Sequence, residues 1–303
     1  MLRRMKLAES HVIPDGDEGN ILVYVNPDER ERRYLAETLK LDEHTLASAL
    51  DPDELARLEF EPDHVAIISK RPQNYSSAEE FMFRVSSMGL FLFADRLIVV
   101  LFEDVPLFKG RQYANVSSLK ELMLKILFSS VLHFTEHLKV INAVSDALEA
   151  QINASMQNKY LLNLFSLEKS LVYYLNAINS NGKVMERIKN SAGKLGLTVE
   201  NIEFLDDLMI ENQQCYEQAE IYSNILASMM DARVSIVNNN LNWLIKTLTL
   251  ITLGIMLPTL VVSIFSMNVK FPGMDHPLMF WIVLTLAAAS ALLVRFVWWW
   301  KKW

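Results

Sequence analysis

Two uncharged stretches near the C-terminus decide the fold: TLTLITLGIMLPTLVVSIFSMNV at residues 247–269 and PLMFWIVLTLAAASALLV at residues 277–294. A helix needs roughly 20 apolar residues to cross a bilayer, so the first stretch is long enough to span. The second lies near the short end, and the following FVWWW extends it to residue 300. The alternative is a pair of buried helices in a soluble protein, but core helices rarely run so far without a charge. The sequence therefore predicts two transmembrane helices.

The residues that flank these stretches predict their orientation. The chain ends in WWWKKW, in which aromatic rings suit the headgroup level and lysines reach water. Arg295, Lys301 and Lys302 make this end basic, so the positive-inside rule places it in the cytoplasm. With two spans, the N-terminal part is cytoplasmic as well, and MLRRMKLAES lacks the apolar stretch of a secretory signal. We therefore predict a multi-pass protein of the inner (cytoplasmic) membrane with both termini in the cytoplasm.

Composition excludes several classes of function. The chain of 303 residues has 29 basic and 36 acidic residues, and its net charge of −7 argues against a nucleic-acid partner. Cys215 is the single cysteine, so neither a disulfide framework nor a cysteine-based zinc site is expected. The Gly-Lys pairs at 182–183 and 193–194 lack the first glycine of a phosphate-binding loop, so no nucleotide is expected. We predict that the protein is not an enzyme.

The remainder of the N-terminal part divides into three predicted segments. Residues 1–116 read as a mixed α and β domain because short β-branched and aromatic runs alternate with two helical patterns. The predicted strands are 21–25, 64–70, 81–87, 90–94 and 96–102, and the predicted helices are 29–39 and 52–58. Residues 117–197 predict a helical pair, with a break at Ser180-Asn181-Gly182.

A third helix, the stalk at residues 198–246, is predicted to begin near Thr198 and to continue into the first span. Neither Pro nor Gly occurs from Leu197 to Leu253. About 70 helical residues would measure roughly 105 Å, too long for one small domain to cover, so copies of the helix should pack together. Residues at three- and four-residue spacing predict its buried stripe: Leu205, Met209, Asn212, Tyr216, Ala219, Tyr222, Leu226 and Met229.

The stalk is strongly acidic. Neither Lys nor Arg occurs between Leu195 and Ala232, and the acids there are Glu200, Glu203, Asp206, Asp207, Glu211, Glu217, Glu220 and Asp231. In parallel copies such acids would repel one another, and divalent cations with oxygen ligands are natural compensators. The alternative is an ordinary solvated acidic face.

One motif points elsewhere. His133, Glu136 and His137 match H-x-x-E-H, the pattern of one class of zinc proteases. Five-residue patterns recur by chance, and no third metal ligand is evident. The simpler interpretation is a helix that carries two satisfied histidines.

The first span ends in Phe265-Ser266-Met267-Asn268. An Asn there can be a plain helix cap, and Pro258 within the span can be a plain kink. Around a symmetric bundle, however, such amides would form a ring of carbonyl oxygens able to accept hydrogen bonds from a hydrated cation. Mg²⁺ gives up its waters reluctantly, so recognition of the hydrated ion avoids a large cost.

This stretch resembles the CorA family of magnesium channels. The resemblance rests on Asn242, Lys246, Leu248, Thr249, Thr252, Pro258, Met267 and Asn268, followed by a short loop (270–276), a second span (277–300) and a basic tail (301–303). It implies an α+β cytoplasmic domain, a long α-helical stalk, two C-terminal transmembrane helices and a pentameric, funnel-shaped assembly. The first span would line a pore, with the second outside it.

The resemblance also assigns individual residues. It implies a cytoplasmic constriction at Asn242, Ile245 and Leu248, further pore-lining positions at Thr252, Met256 and Thr259, and a selectivity signature at Ser266, Met267 and Asn268. Asp231 corresponds to a stalk acid that binds regulatory Mg²⁺ between subunits, and Asp207 is a second such acid. Candidates for the acid that completes this site from a neighbouring subunit are Asp95, Glu103 and Asp104.

Three residues depart from the family pattern. Ser266 and Phe265 replace a Gly and a Tyr, and Lys270 stands where many relatives carry an acid. The predicted function is a divalent-cation channel, with Mg²⁺ as transported and regulatory ion and passive influx driven by the membrane potential. The alternatives are a transporter of Co²⁺, Ni²⁺ or Zn²⁺ on the same scaffold, and a membrane-anchored sensor or scaffold that conducts nothing. The predicted partners are the lipid bilayer, divalent cations and further copies of the chain.

Overall fold

The computed structural model describes residues 1–15, 19–75, 81–154, 158–269 and 276–300. The chain forms two compact units, an N-terminal unit (Met1–Met230) and a C-terminal unit (Asp231–Trp303).

The described residues of the N-terminal unit form a seven-stranded sheet. Its strands are β1 (Leu2–Ala8), β2 (His11–Pro14), β3 (Ile21–Val25), β4 (Arg57–Phe60), β5 (His64–Pro72), β6 (Val85–Phe93) and β7 (Leu97–Leu101). Their order in the sheet is β2-β1-β3-β7-β6-β5-β4. The β3–β7 pair is parallel, with Val23 opposite Val99, and the other pairs are antiparallel.

The helices follow the same chain order. They are α1 (Glu29–Arg33), which continues as a π-helical turn (Tyr34–Thr38), α2 (Glu43–Ser48), α3 (Leu119–Ala154), α4 (Asn158–Asn190), α5 (Ala192–Leu195), α6 (Val199–Phe265) and α7 (Met279–Trp300). A capping box starts α1: the Asp28 carboxylate accepts from the Glu31 amide at 2.8 Å, and Glu31 accepts from the Asp28 amide at 3.1 Å.

Apolar layers cover the sheet on both faces. Val23 and Val99 point into the larger core, which also contains buried side chains of α3 and α4. Tyr24 and Val100 point to the opposite face, where they pack with Leu35 beneath α1 and α2. Because both faces are buried, β3 and β7 are continuous apolar runs, and this explains why their positions are predictable from sequence.

The described part of α6 in the N-terminal unit packs through a regular stripe. Leu205, Asn212, Ala219 and Leu226 recur at seven-residue spacing, and each is at most 5% exposed. These four predicted positions are therefore confirmed as buried, and the other four predicted positions pack against the same core while partly exposed: Met209, Tyr216, Tyr222 and Met229. The predicted helix start near Thr198 is also confirmed, since α6 begins at Val199 and continues without interruption to Phe265.

The C-terminal unit contains the end of α6 and all of α7. Both helices are long and apolar enough to cross a membrane. Among the described apolar side chains of this unit, Ala287 alone is buried, while leucines such as Leu248 and Leu260 are more than half exposed. The apolar surface of this unit is thus left for lipid or other chains to cover.

Several strand predictions hold, and others need correction. The strands at 21–25 and 64–70, the hairpin turn at 94–96 and the helix at 29–39 are confirmed. The two strands predicted at 81–87 and 90–94 are a single strand, β6. The edge strand β2 and its neighbour β1 were not predicted.

The helix predicted at 52–58 is wrong. Residues 52–54 form a turn, in which the Asp51 carboxylate accepts from the Asp53 amide at 2.9 Å, and β4 then begins at Arg57. Leu58 is buried, whereas Arg57 pairs with Glu54 and Glu59 at 2.7 Å, so the side chains alternate as in a strand.

The break predicted at Ser180-Asn181-Gly182 is also wrong, because α4 runs through it. The Asn181 amide group accepts from the Lys70 backbone N–H and donates to the Lys70 carbonyl, both at 2.7 Å. Strand β4 pairs with β5 only as far as Ile68, so Asn181 takes the place of a neighbouring strand at Lys70. Asn181 is a residue type that favours turns, but here it joins α4 to the edge of the sheet.

Candidate functional site

The pore positions implied by the family resemblance share one face of α6. The helix turns by about 100° per residue. On that basis the six positions fall within an arc of about 120°: Asn242, Ile245, Leu248, Thr252, Met256 and Thr259. All six are exposed, and Ile245, Leu248 and Met256 are each at least 60% exposed. We call this set the exposed stripe.

The threonines of the exposed stripe have satisfied donors. The Thr252 hydroxyl donates to the Leu248 carbonyl at 2.9 Å, and the Thr259 hydroxyl donates to the Ile255 carbonyl at 2.7 Å. A hydroxyl that donates in this way still has acceptor lone pairs on its oxygen. These oxygens can therefore accept hydrogen bonds from the water shell of a cation.

A groove lies on the opposite face of the same helix. It has a volume of 460 Å³ and is lined by Trp243, Lys246, Thr247, Leu250, Ile251 and Gly254 of α6, and by Ala291, Val294, Arg295 and Trp298 of α7. The α6 residues of this groove occupy an arc that does not overlap the exposed stripe. In the C-terminal unit, α7 thus borders one face of α6, where Trp243 and Ile251 are still 66% and 56% exposed, and the exposed stripe lies on the opposite face.

The signature residues follow the end of α6 at Phe265. The Ser266 amide donates to the carbonyls of Val262 and Ser263, and the Ser266 hydroxyl donates to the Ser263 carbonyl at 2.9 Å. Ser266, Met267 and Asn268 all have negative φ, so the backbone here does not require glycine. Serine at position 266 therefore fits this helix end, and its hydroxyl supplies an extra cap. Met267 and Asn268 are exposed beyond it.

The candidate regulatory acids lie on α6, one in each unit. Asp207 is exposed in the N-terminal unit, and Asp231 is exposed at the start of the C-terminal unit. Asp206, next to Asp207 in sequence, forms an ion pair with Lys189 of α4 at 2.8 Å. Glu200 sits at the helix start, where a hydrogen bond from the Thr198 hydroxyl lowers the pKa of its carboxyl group.

The three candidate partner acids have partners within the chain. Arg96 pairs with Asp95 at 2.7 Å, and this hydrogen bond lowers the pKa of the Asp95 carboxyl group. Arg3 pairs with Asp104. Glu103 accepts from the Asn74 amide at 2.8 Å. A metal bridge from any of these acids would compete with the existing contact.

The H-x-x-E-H residues do not form a metal site. Glu136 is exposed, whereas His137 is buried and its Nδ1 lies 2.6 Å from the Tyr174 hydroxyl. His133 Nδ1 lies 3.5 Å from the Arg71 guanidinium. Among the described residues, no group of three or more His, Cys, Asp or Glu side chains is placed to hold a metal ion. The protease alternative is therefore rejected.

Burial sets the protonation of this histidine pair. It lowers the pKa of His133 to about 3, with further contributions from His137 and Arg71. Burial and Arg71 lower the pKa of His137 to about 4. Both imidazoles are neutral at physiological pH, and they act as core residues between the sheet and the helices.

Lys270 and Asp275, on which the predicted charge of the external loop depends, lie outside the described residues, as does the tail at 301–303. Sequence reasoning also missed the groove beside α7. The sequence contained a signal for this groove. Lys246 lies three residues after Trp243, and Arg295 lies three residues before Trp298, so each basic residue lies between its tryptophan and the adjoining span. The pairing of the two helices was needed to bring these four residues together.

Comparisons with known proteins identify the family of the chain. A family model described as CorA-like Mg²⁺ transporter protein matches residues 17–302. The cobalt/magnesium transport protein CorA of Methanocaldococcus jannaschii is 24% identical over 283 residues, which cover 90% of this chain and 87% of that protein.

Two solved structures share the fold. The complete structure of the CorA magnesium transporter from Methanocaldococcus jannaschii has a TM-score of 0.81 at 20% identity, and the match covers 98% of this chain and 96% of that one. The full-length CmaX protein has a TM-score of 0.74 at 15% identity, with coverage of 100% and 97%. The family model spans nearly the whole chain, so this protein belongs to the CorA-like Mg²⁺ transporter family and is a divalent-cation transporter rather than an enzyme.

Proposed function

We propose that five copies of the chain assemble around a pore lined by the first span, with the second span outside it, and that the pore conducts Mg²⁺. The observation that supports this most directly is the division of α6 into two faces. One face lies against α7, and the opposite face is the exposed stripe. The stripe contains both polar and apolar side chains, as suits a water-filled path with constrictions.

Influx needs no chemical fuel in this scheme. Arg295 and the basic residues after it support an inner membrane with both termini in the cytoplasm. An inside-negative potential supplies about 2.3 kcal/mol per charge per 100 mV, hence about 4.6 kcal/mol for a divalent cation. This driving force is directed toward the cytoplasm.

The mouth of the pore would select the ion through hydrogen bonds to its water shell. Five Asn268 side chains, each exposed just beyond α6, can present carbonyl oxygens to a hydrated cation. Mg²⁺ holds its waters tightly, so an outer-shell contact avoids most of the dehydration cost. Met267 and Ser266 shape the same rim.

The gate would lie lower in the same bundle. Leu248 and Met256 carry exposed apolar side chains on the exposed stripe, and rings of such residues can close a pore by dewetting. Regulatory Mg²⁺ bound at Asp231 and Asp207 between neighbouring subunits would stabilise the closed state. When the metal leaves, repulsion between carboxylates would loosen the stalks, since a ligand shifts an equilibrium by its differential affinity.

The selectivity proposal is tested by Asn268→Ala in proteoliposomes loaded with a Mg²⁺-sensitive dye. We expect uptake to fall at least tenfold, with the oligomer unchanged by gel filtration. Asn239→Ala is the matched control, because Asn239 is an exposed amide on the same helix outside the exposed stripe. Uptake by the Asn268 variant equal to that of the control would contradict the role of Asn268. An intact pentamer that takes up no cation would favour a non-conducting sensor.

The gating proposal is tested by Asp231→Lys. The lysine removes the metal ligand and supplies a fixed positive charge, so uptake should lose its dependence on internal Mg²⁺. Glu136→Lys is the control, because Glu136 is an exposed acid on α3 rather than on the stalk. Normal inhibition by internal Mg²⁺ in the Asp231 variant would place regulation elsewhere.

Co²⁺ is the second candidate substrate. The relative from Methanocaldococcus jannaschii is described as a cobalt/magnesium transport protein, and Ser266 changes the family signature. Competition of Mg²⁺ uptake by Co²⁺, Ni²⁺ and Zn²⁺ in the same proteoliposomes ranks the ions. Stronger block by Co²⁺ than by Mg²⁺ itself, together with direct Co²⁺ flux, would make Co²⁺ the preferred ion.

A further inference from the structure

Within the N-terminal unit, α6 carries a second apolar stripe on the side away from its buried one. At about 100° per residue, the four members of this stripe fall within an arc of about 80°, and the buried stripe is centred nearly half a turn away. The members follow one another at spacings of eleven and four residues, and each is at least 47% exposed: Val199, Ile210, Ile221 and Ile225. We call this set the stalk stripe. Its β-branched side chains are available for contact with another surface.

The charged side chains on the same arc are all acidic. Glu203, Asp207 and Glu217 lie on it and are exposed. Neither Lys nor Arg occurs between Leu195 and Ala232. The stalk stripe is thus apolar and negatively charged, and a partner surface with basic side chains would complement it.

Helix α4 has an exposed apolar stripe as well. Its four members fall within an arc of about 100° on the side opposite the buried Leu167. Each member is at least 51% exposed: Leu162, Phe165, Val172 and Tyr173. We call this set the α4 stripe. It borders a groove of 630 Å³ in the same unit, which Phe165 and Tyr173 line together with the exposed Met82 and Phe102. The exposed apolar surface is therefore wider than one helix face.

Charge on and beside the α4 stripe is positive. Lys169 lies within its arc, and the Lys169 Nζ atom is 5.9 Å from the centre of the Tyr173 ring. Arg84 lines the adjoining groove, as does Asp53, and all three charged residues are exposed. Among the described residues that line the groove, two basic side chains and one acid leave a net charge of +1. The α4 stripe thus complements the acidic stalk stripe in charge.

From these two surfaces we propose that the α4 stripe of one copy packs against the stalk stripe of a neighbouring copy. Lys169 would then face the acids of the stalk, and the apolar side chains of both stripes would leave water. Direct packing of one stalk stripe on another would instead bring Glu203 and Glu217 against like charges, which is unfavourable. Two different surfaces meet in the proposed contact, and repeated contacts of that kind form a ring when the rotation between copies closes.

This contact rests on the proposed assembly of several copies, but it depends neither on the transported ion nor on the gate. It would join neighbouring N-terminal units through side chains alone. A chelator that removes divalent cations should therefore leave it in place, whereas a metal bridge between carboxylates would be lost.

Cysteine crosslinking of the full-length protein in detergent tests this contact. Phe165→Cys is combined in turn with Ile210→Cys, Ile221→Cys and Ile225→Cys, and a short bismaleimide links thiols that lie close together. At least one pair should give a ladder of linked chains, up to five, on a denaturing gel, and the ladder should persist in EDTA. Native Cys215 is buried, with its thiol pKa raised to about 11, so it should add no background.

Single variants and a matched pair serve as controls. Each single variant should stay unlinked, because its stripe meets a different surface on the neighbouring copy. Phe165→Cys with Glu136→Cys is the matched pair, since Glu136 is exposed on α3 and lies outside both stripes. This pair should give at most about a tenth of the ladder.

Charge reversal tests the complementarity of the two stripes. Lys169→Glu, placed in the pair that links best, should lower the yield at least threefold, because a negative charge would then face the acids of the stalk. Glu203→Lys or Glu217→Lys, added one at a time, should restore most of the yield. A yield that none of these changes alters would contradict the role of Lys169.

Several results would overturn the proposed contact. Efficient linking by the single Ile210→Cys or Ile221→Cys variant, with no gain from the pairs, would mean that stalks pack directly on one another. An intact oligomer in which no pair links would overturn this contact and leave the proposed assembly in place, whereas a monomer by native mass spectrometry would overturn both. If phosphatidylglycerol vesicles block maleimide labelling of the Phe165→Cys variant and no pair links, the α4 stripe contacts lipid instead.

Discussion

Large apolar side chains are mostly buried in the N-terminal unit and mostly exposed in the C-terminal unit. In the N-terminal unit, Leu205 and Leu208 of α6 are fully buried against the sheet and its helices. In the C-terminal unit, Leu248 and Leu260 of the same helix are 65% and 55% exposed. One continuous helix therefore serves as a core element at its start and as an uncovered apolar surface at its end. The first unit is stabilised by its own packing, whereas the second needs lipid and partner chains.

The largest expected effect comes from separating the units. A fragment of residues 1–230 should remain soluble and helical without detergent, because the large cores lie between residues 21 and 226. The full chain should precipitate when detergent is removed, since its exposed apolar surface far exceeds that of a soluble monomer. Gel filtration and far-UV circular dichroism check both outcomes. A fragment that aggregates as readily as the full chain would contradict the division.

Truncation of one leucine in each unit should lower the free energy of unfolding by amounts that differ by several kcal/mol. Leu205→Ala removes a side chain that is 0% exposed and should lower the free energy of unfolding by about 2–5 kcal/mol. Leu260→Ala removes one that is 55% exposed and should cost less than about 0.5 kcal/mol in detergent. Urea unfolding followed by circular dichroism measures both. Equal losses would mean that the C-terminal unit has a tight core of its own.

Acid should destabilise the N-terminal unit through its buried histidine pair. The unfolded chain protonates histidine near pH 6.5, whereas His133 and His137 stay neutral in the fold because their pKa values are lowered to about 3 and about 4. The contribution of the two histidines to the free energy of unfolding is complete above pH 6.5 and is lost as the pH falls toward those lowered pKa values. Between pH 7 and pH 5 the loss should be about 2 kcal/mol per histidine.

Urea midpoints at pH 7 and pH 5 measure this loss in the full-length protein. The variants His133→Gln and His137→Gln should each flatten the pH dependence, while His11→Gln, at an exposed position, should leave it unchanged. A steeper dependence in the buried-site variants would mean that the two imidazoles are charged in the native fold.

The sequence predicted the elements whose periodicity is imposed by burial or by the membrane. The stripe through Leu205 and Asn212 and the strand at 21–25 are regular because each side chain meets the same kind of surface. Strand β1 was missed because Arg3, Arg4 and Lys6 interrupt its apolar pattern, with Arg3 and Arg4 adjacent; near the sheet edge such polar side chains reach water.

Other errors arose where a residue contacts a partner that is distant in sequence. Asn181 and Gly182 signal a turn in isolation, but Asn181 bonds the Lys70 backbone 111 positions away. Gly182 allows the close approach of Asn212, whose Nδ2 would lie 3.0 Å from an added Cβ. The groove at Lys246 and Arg295 was likewise unpredictable, since it depends on which faces of α6 and α7 meet. The family resemblance assigned the pore positions, but only the helix geometry shows that they share a face.

The smallest expected effect concerns Ser266, which lies in the C-terminal unit where packing contributes little. Its hydroxyl bond to the Ser263 carbonyl is exposed, so Ser266→Ala should cost about 0.5 kcal/mol. Ser266→Gly restores the family residue but loses the same bond and adds freedom to the unfolded chain, so it should cost somewhat more. Tryptophan fluorescence reports this unit, because all six tryptophans lie between residues 243 and 303. A glycine variant more stable than the alanine variant would mean that the backbone at 266 prefers a positive φ once the chain is assembled. The serine would then be a strained substitute rather than the helix cap that its negative φ indicates.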